Sequence, residues 1–219
     1  MCQKEEMKLR VSKEIELIKL NSAQSNNLFK KYLEDGELTK QAIAYLFKDG
    51  SETKQKIYIN TVFPSYGKPE FKKYQTKVMR FGDRKTLATY YMYYEVSDSG
   101  QIELIKREDI NAFVYYITNY DLGEKAFKFL IKSGASELIE AYISNKSIEK
   151  ERLPFFIEKG NTHDLLWYFL TSSTEEKEIF IDYLRKYATS AQINQLCEES
   201  EMMSLMLGLN MHEDEEDYE

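Results

Sequence analysis

The chain has 219 residues, 42% of them hydrophobic, and a formal net charge of −7. At this length folding removes roughly 70% of the unfolded chain's surface, so a core forms without staples, as one large domain or two small ones. The acidic balance argues against a generally basic nucleic-acid binder, three prolines and nine glycines disfavour a turn-rich β-sandwich, and no apolar run approaches the ~18 residues of a membrane helix.

Apolar spacing at i, i+1, i+4 and i+5 predicts helices near 4–19, 25–35, 39–49, 52–61, 70–80, 84–96, 109–119, 123–133, 136–145, 149–159, 162–171, 174–187 and 190–207. Starts are signalled by Thr39, Asp83, Asp109, Ser136 and Ser173. The segment Phe63-Pro-Ser-Tyr-Gly-Lys-Pro69 holds two of the three prolines and reads as a loop. The run Met202–Met211 reads as a closing helix rich in adaptable methionine. Residues 211–219 form an acidic tail, expected to be disordered.

Four apolar clusters end in a glycine: Gly50, Gly82, Gly134 and Gly160. Gly134 and Gly160 are 26 positions apart, and Gly82 and Gly160 are 78, three times 26. Sliding residues 82–92 forward by 78 lays Gly82, Leu87, Tyr90, Tyr91 and Met92 on Gly160, Leu165, Tyr168, Phe169 and Leu170. Sliding 28–59 forward by 110 lays Leu28, Leu33, Leu38, Gly50 and Ile59 on Leu138, Ile143, Ile148, Gly160 and Phe169, which needs an insertion near 63–69. A fixed period of this length is the mark of stacked helical hairpins. The glycines are expected to end the first helix of each pair as left-handed caps, with Gly36, Gly100 and Gly123 between pairs. The fold class expected is all-α, a solenoid over 1–210 with an N-terminal subdomain near 1–105. The alternative is α+β: Tyr90–Val96, Ser-Asp-Ser-Gly and Gln101–Ile105 also read as a β-hairpin, as does the strand-like Lys56–Phe63, giving a small antiparallel sheet within 56–107.

Phe127-Lys-Phe-Leu-Ile-Lys-Ser-Gly-Ala-Ser-Glu-Leu-Ile-Glu-Ala-Tyr142 resembles the second helix of an ankyrin repeat with its following Gly-Ala, over about 123–187. In general shape it is equally similar to short solenoids of the HEAT type. The Thr-Pro-Leu-His signature is absent, and the period is 26 where ankyrin repeats have about 33. The resemblance implies partner binding through a continuous face.

Signals for catalysis are sparse. There is no HExxH or paired Cys/His spacing for zinc, no GxGxxG or Walker loop, and no GxSxG. His163, beside Asp164, reads as a polar helix start, and His212 lies in the acidic tail. Cys197 reads as a small core hydrophobe, its acidic neighbours opposing a thiolate; with Cys2 it makes no disulfide framework, so a reducing, cytoplasmic setting is expected. Trp167 shares its repeat position with Ile57 and Thr89 and reads as packing. No metal or cofactor is expected.

The one local charge anomaly is 68–85. Lys68, Lys72, Lys73, Lys77, Arg80, Arg84 and Lys85 face only Glu70 and Asp83. Lys73, Lys77 and Arg80 share a helical side, and the cluster Tyr90, Tyr91, Tyr94 follows. These residues are the candidate partner-binding set. The function expected is a non-enzymatic protein-binding module — an inhibitor, immunity-type protein or scaffold. The alternative is nucleic-acid binding through 68–94, where cations interleave with aromatics; the third is a hydrolase using unrecognised carboxylates.

Overall fold

The computed structural model describes residues 3–66 and 70–208. Among these the chain is all-helical: sixteen helices and no strand. Lys68, Cys2 and the 211–219 tail lie outside the described residues.

Two compact units divide the chain after Arg107. The first carries α1 (Gln3–Lys19), α2 (Ala23–Asp35), α3 (Lys40–Asp49), α4 (Glu52–Tyr66), α5 (Glu70–Lys73), α6 (Gln75–Phe81), α7 (Arg84–Tyr93) and α8 (Asp98–Lys106). Here α1 packs on α3, α2 on α4, α4 on α6 and α7, and α6 on α8. The second unit carries α9 (Ile110–Asn119), α10 (Glu124–Ser133), α11 (Ser136–Asn145), α12 (Leu153–Lys159), α13 (Thr162–Thr171), α14 (Thr174–Tyr187), α15 (Ser190–Glu199) and α16 (Glu201–Leu207). Within it α9, α11, α13 and α15 form one row, and α10, α12, α14 and α16 the other. That order, each helix on its next-but-one neighbour, is compatible with a helical repeat.

The interior repeats more strictly than the glycines indicate. Asp83, Asp109, Ala135 and Asn161 are the N-caps of α7, α9, α11 and α13, at intervals of 26. Seven residues after each cap stand Tyr90, Tyr116, Tyr142 and Tyr168, all buried. Five residues before each cap stand Val78, Leu104, Leu130 and Phe156, each fully buried. Met79, Ile105, Ile131 and Ile157 follow them into the core. In the last pair the step becomes 28, taking Phe156 to Leu184 and Tyr168 to Leu196. Tyr58 continues the tyrosine column 32 residues before Tyr90, on the far side of the 63–69 insertion. Sliding by 110 fails at Leu28, which is exposed where Leu138 is buried. The reason is that α2 buries only the narrow stripe Ser25, Phe29, Leu33.

The all-α reading holds over 56–107, and the alternative sheet does not form there among the described residues. Residues 84–93 and 98–106 are helices joined by an extended link, and Gln75 shows why. Its buried side chain donates to the Glu95 carbonyl and the Tyr90 hydroxyl, each at 2.8 Å, and accepts from the Ser97 amide at 3.0 Å and from the Ser97 hydroxyl. The link's polar groups are thus satisfied by a side chain in place of a strand partner. Ser97 starts α8 rather than closing a turn. Gly100 lies in the first turn of α8, where a Cβ would meet Val96 at 2.8 Å and Gln75 at 2.9 Å.

Other boundaries also move. The stretch 70–80 breaks at Tyr74, 149–159 begins only at Leu153, and 190–207 breaks at Ser200. Helix α4 runs through Pro64 to Tyr66, so the first part of the expected 63–69 loop is helical. Thr39, Asp83, Asp109 and Ser173 are N-caps whose side chains accept from the amide three residues on. At α11 the cap is Ala135, and Ser136 is the first helical residue.

Of the four glycines expected to be left-handed caps, Gly134 alone is one, with φ 66°. Gly50, Gly82 and Gly160 leave their helices extended. Their constraint is close approach: a Cβ at Gly160 would lie 2.5 Å from the Phe156 carbonyl oxygen. Two steps of 26 lead from Gly82 to Gly134 through Glu108, the one non-glycine residue of positive φ among the described residues, at 54°.

Candidate functional site

The basic segment folds as two short helices and the start of a third. Lys72 and Lys73 are exposed on α5, and Arg84 and Lys85 are exposed in the first turn of α7. The break at Tyr74 interrupts the helical side that Lys73 was expected to share. Tyr74 stacks on Phe47 with ring centroids 3.9 Å apart, and the Lys73 ammonium lies 5.6 Å from the Tyr74 ring. Lys77 and Arg80 converge on Phe81: the ammonium is 5.6 Å and the guanidinium 5.2 Å from its ring centre.

Two cations that sequence reading missed complete this face. Arg107 donates to the carbonyls of Met79 (3.4 Å) and Gly82 (2.5 Å), at the end of α6 where helix carbonyls lack intrahelical donors. Lys106 pairs with Glu103 at 2.8 Å, and Arg80 pairs with Glu52 at 2.9 Å. Arg80, Phe81, Glu103, Lys106 and Arg107 line a cleft of about 430 Å³. The signal for Lys106 and Arg107 lay in Ile105-Lys-Arg-Glu108, outside the 68–94 window because α8 was read as a possible strand. It is the packing of α8 on α6 that unites them with Arg80.

The tyrosines do not join this face as a stacking surface. Tyr90 is fully buried and Tyr91 nearly so, while Tyr94 is half-buried with its ring 5.0 Å from that of Tyr90. The exposed apolar groups of α7 are Met92 and Tyr93.

No protein-family model, no curated protein and no solved structure matches this chain. The functional reading therefore rests on this chain's own chemistry.

Acid–base groups elsewhere are structural in their surroundings. Glu14 is buried and accepts from the Tyr32 hydroxyl (2.7 Å), the Thr39 amide (2.9 Å), the Thr39 hydroxyl (2.6 Å) and Arg10 Nε (3.0 Å). Burial pushes its carboxyl up, but the bonds from Thr39, Tyr32 and Arg10 outweigh it and hold it below the usual range. Through Thr39 this carboxylate ties α1 to the N-cap of α3. His163 Nε2 lies 2.8 Å from Glu140 Oε1 on an exposed surface.

Asp164 is fully buried beside them, and no hydrogen bond of ordinary geometry reaches either carboxylate oxygen. Burial pushes its carboxyl above the usual range. A carboxyl sealed in this way reaches no substrate. Cys197 is buried, with a free thiol. Among the described residues no group of His, Cys, Asp and Glu is placed to hold a metal ion. Nor is any helix long and apolar enough to cross a membrane.

Proposed function

We propose that this chain is a non-enzymatic protein-binding module, a short-repeat solenoid in the broad manner of ankyrin and HEAT proteins, acting as an inhibitor, immunity-type protein or scaffold. One contrast carries the reading. At intervals of 26 the interior keeps its chemistry, with tyrosine at 90, 116, 142 and 168. Two residues further on, the exposed positions 92, 118, 144 and 170 hold Met, Thr, Ser and Leu. An interior held constant beneath a varied exterior is what a repeat scaffold needs when its surface is matched to a partner. The free thiol of Cys197 fits a reducing, cytoplasmic setting.

The test is affinity purification of the tagged full chain from its source cells at low salt. The expected result is a stoichiometric protein partner whose recovery falls when Met92→Glu and Leu170→Glu are combined or when the basic face is reversed. Recovery of no stoichiometric protein, or turnover of a substrate by the purified chain, overturns the reading.

A further inference from the structure

Two cations lining the cleft at the end of α6 already pair with carboxylates of the chain itself. Glu52 sits on Arg80 as a solvent-exposed pair, and the half-buried Glu103 sits on the exposed Lys106. Surface pairs of this kind are worth roughly 0–1 kcal/mol, so an incoming carboxylate exchanges with them at little cost. Arg107 is anchored by the carbonyls of Met79 and Gly82, which fixes one wall. The cleft, at about 430 Å³, is sized for one or two side chains rather than for a folded surface.

The aromatic rings discriminate between classes of polyanion. Unspecific single-strand binding relies on open ring faces on which bases stack. Here Lys77 and Arg80 cover Phe81, Tyr74 is stacked on Phe47, and Tyr90 is buried. A long nucleic acid would also meet the rest of a chain whose net charge is −7. A short acidic peptide needs only the local patch.

We infer that this cleft docks a short run of Glu and Asp side chains from a protein partner, its carboxylates taking Arg80 and Lys106 beside Phe81 and displacing Glu52 and Glu103. The inference rests on the partner-binding reading above and adds which surface binds and what chemistry it binds.

The probe is a fluorescein-labelled oligoglutamate peptide, followed by anisotropy at low salt with the full chain. Saturable binding is expected, weakened at least about ten-fold in Arg80→Glu/Lys106→Glu. Lys150→Glu/Lys159→Glu, the same charge change on exposed residues elsewhere, should bind as the unaltered chain does. Glu52→Gln/Glu103→Gln should bind several-fold tighter, because the resident competitors are gone. Circular dichroism and thermal unfolding establish that each variant is folded.

Equal loss in both lysine-bearing double variants overturns the site. Absence of tightening in the glutamine variant overturns the exchange, and tighter binding of an oligothymidylate than of the peptide overturns the partner class. If Arg80→Glu/Lys106→Glu still recovers the native partner, this inference falls while the partner-binding reading stands. If no variant, nor the unaltered chain, recovers one, that broader reading has failed.

Discussion

The Lys54 ammonium, on α4, donates to the Ser25 main-chain carbonyl, on α2, at 2.7 Å, and lies 4.7 Å from the Phe29 ring centre. The lysine is fully buried, and burial lowers its pKa from 10.5 to about 8. Carbonyl and ring offset only part of the desolvation of the charge.

Replacing this cation with an apolar chain of similar length should stabilise the protein. At pH 7 Lys54 is charged in both folded and unfolded states, and the penalty is fully present. Between about 8 and 10.5 the folded state sheds the proton while the unfolded state keeps it, so the native protein gains stability with rising pH. Lys54→Met is therefore expected to be more stable at pH 7 by on the order of 1–3 kcal/mol. That advantage should shrink towards pH 10.5, as read by urea unfolding of the two proteins side by side.

Asp164 has the opposite sign. Its raised carboxyl pKa means that, above the ordinary value of 3.8, the unfolded state releases a proton that the folded state retains. Stability is thus lost as pH rises from that value through the folded pKa. Asp164→Asn is expected to raise stability by about 1 kcal/mol at pH 7 and to give no gain below the ordinary carboxylate range. Thermal melts at acid and neutral pH check this.

Glu108 holds φ 54° at a position whose 26-residue counterparts are glycines. A left-handed conformation costs an ordinary residue roughly 1–2 kcal/mol, against roughly 0.5–1 for glycine's extra backbone entropy. Glu108→Gly should therefore stabilise by about 0.5–1 kcal/mol, and Gly134→Ala should destabilise by about 1 kcal/mol. Chemical denaturation of both variants reads the pair.

Gln75 is expected to be the most sensitive polar residue of the first unit. Gln75→Leu would leave the Ser97 amide and the Glu95 carbonyl without their side-chain partner. The expected loss is about 2–4 kcal/mol in unfolding experiments, because two backbone groups are orphaned together. Amide exchange at 94–98 should rise in step.

Most helices were legible because their apolar spacing agrees with their caps. Leu130 and Ile131 face inward on α10, and Ser173 with Glu176 forms the capping box of α14. The hairpin alternative arose because Tyr and Val favour strands locally. What decided against it is Gln75, 20 residues before Glu95 and invisible to any local pattern. The basic face was legible in part. Lys77 and Arg80 were visible as a cluster, but Lys106 and Arg107 join them only through helix packing. Tyr90 and Tyr91 looked like a binding surface because tyrosine serves cores and surfaces alike. Their recurrence in step with Tyr116, Tyr142 and Tyr168 was the signal that they belong to the interior.

The constant step between Asp83, Asp109, Ala135 and Asn161 makes the polypeptide modular in length. Excising Asp109 through Gly134, which holds α9 and α10, joins Glu108 to Ala135 and keeps the 26-residue spacing of Tyr90, Tyr142 and Tyr168. A deletion that ends inside a helix instead takes apolar residues out of that helix's buried stripe. Gain or loss of a whole period is thus the length change that keeps the inward residues of each helix together.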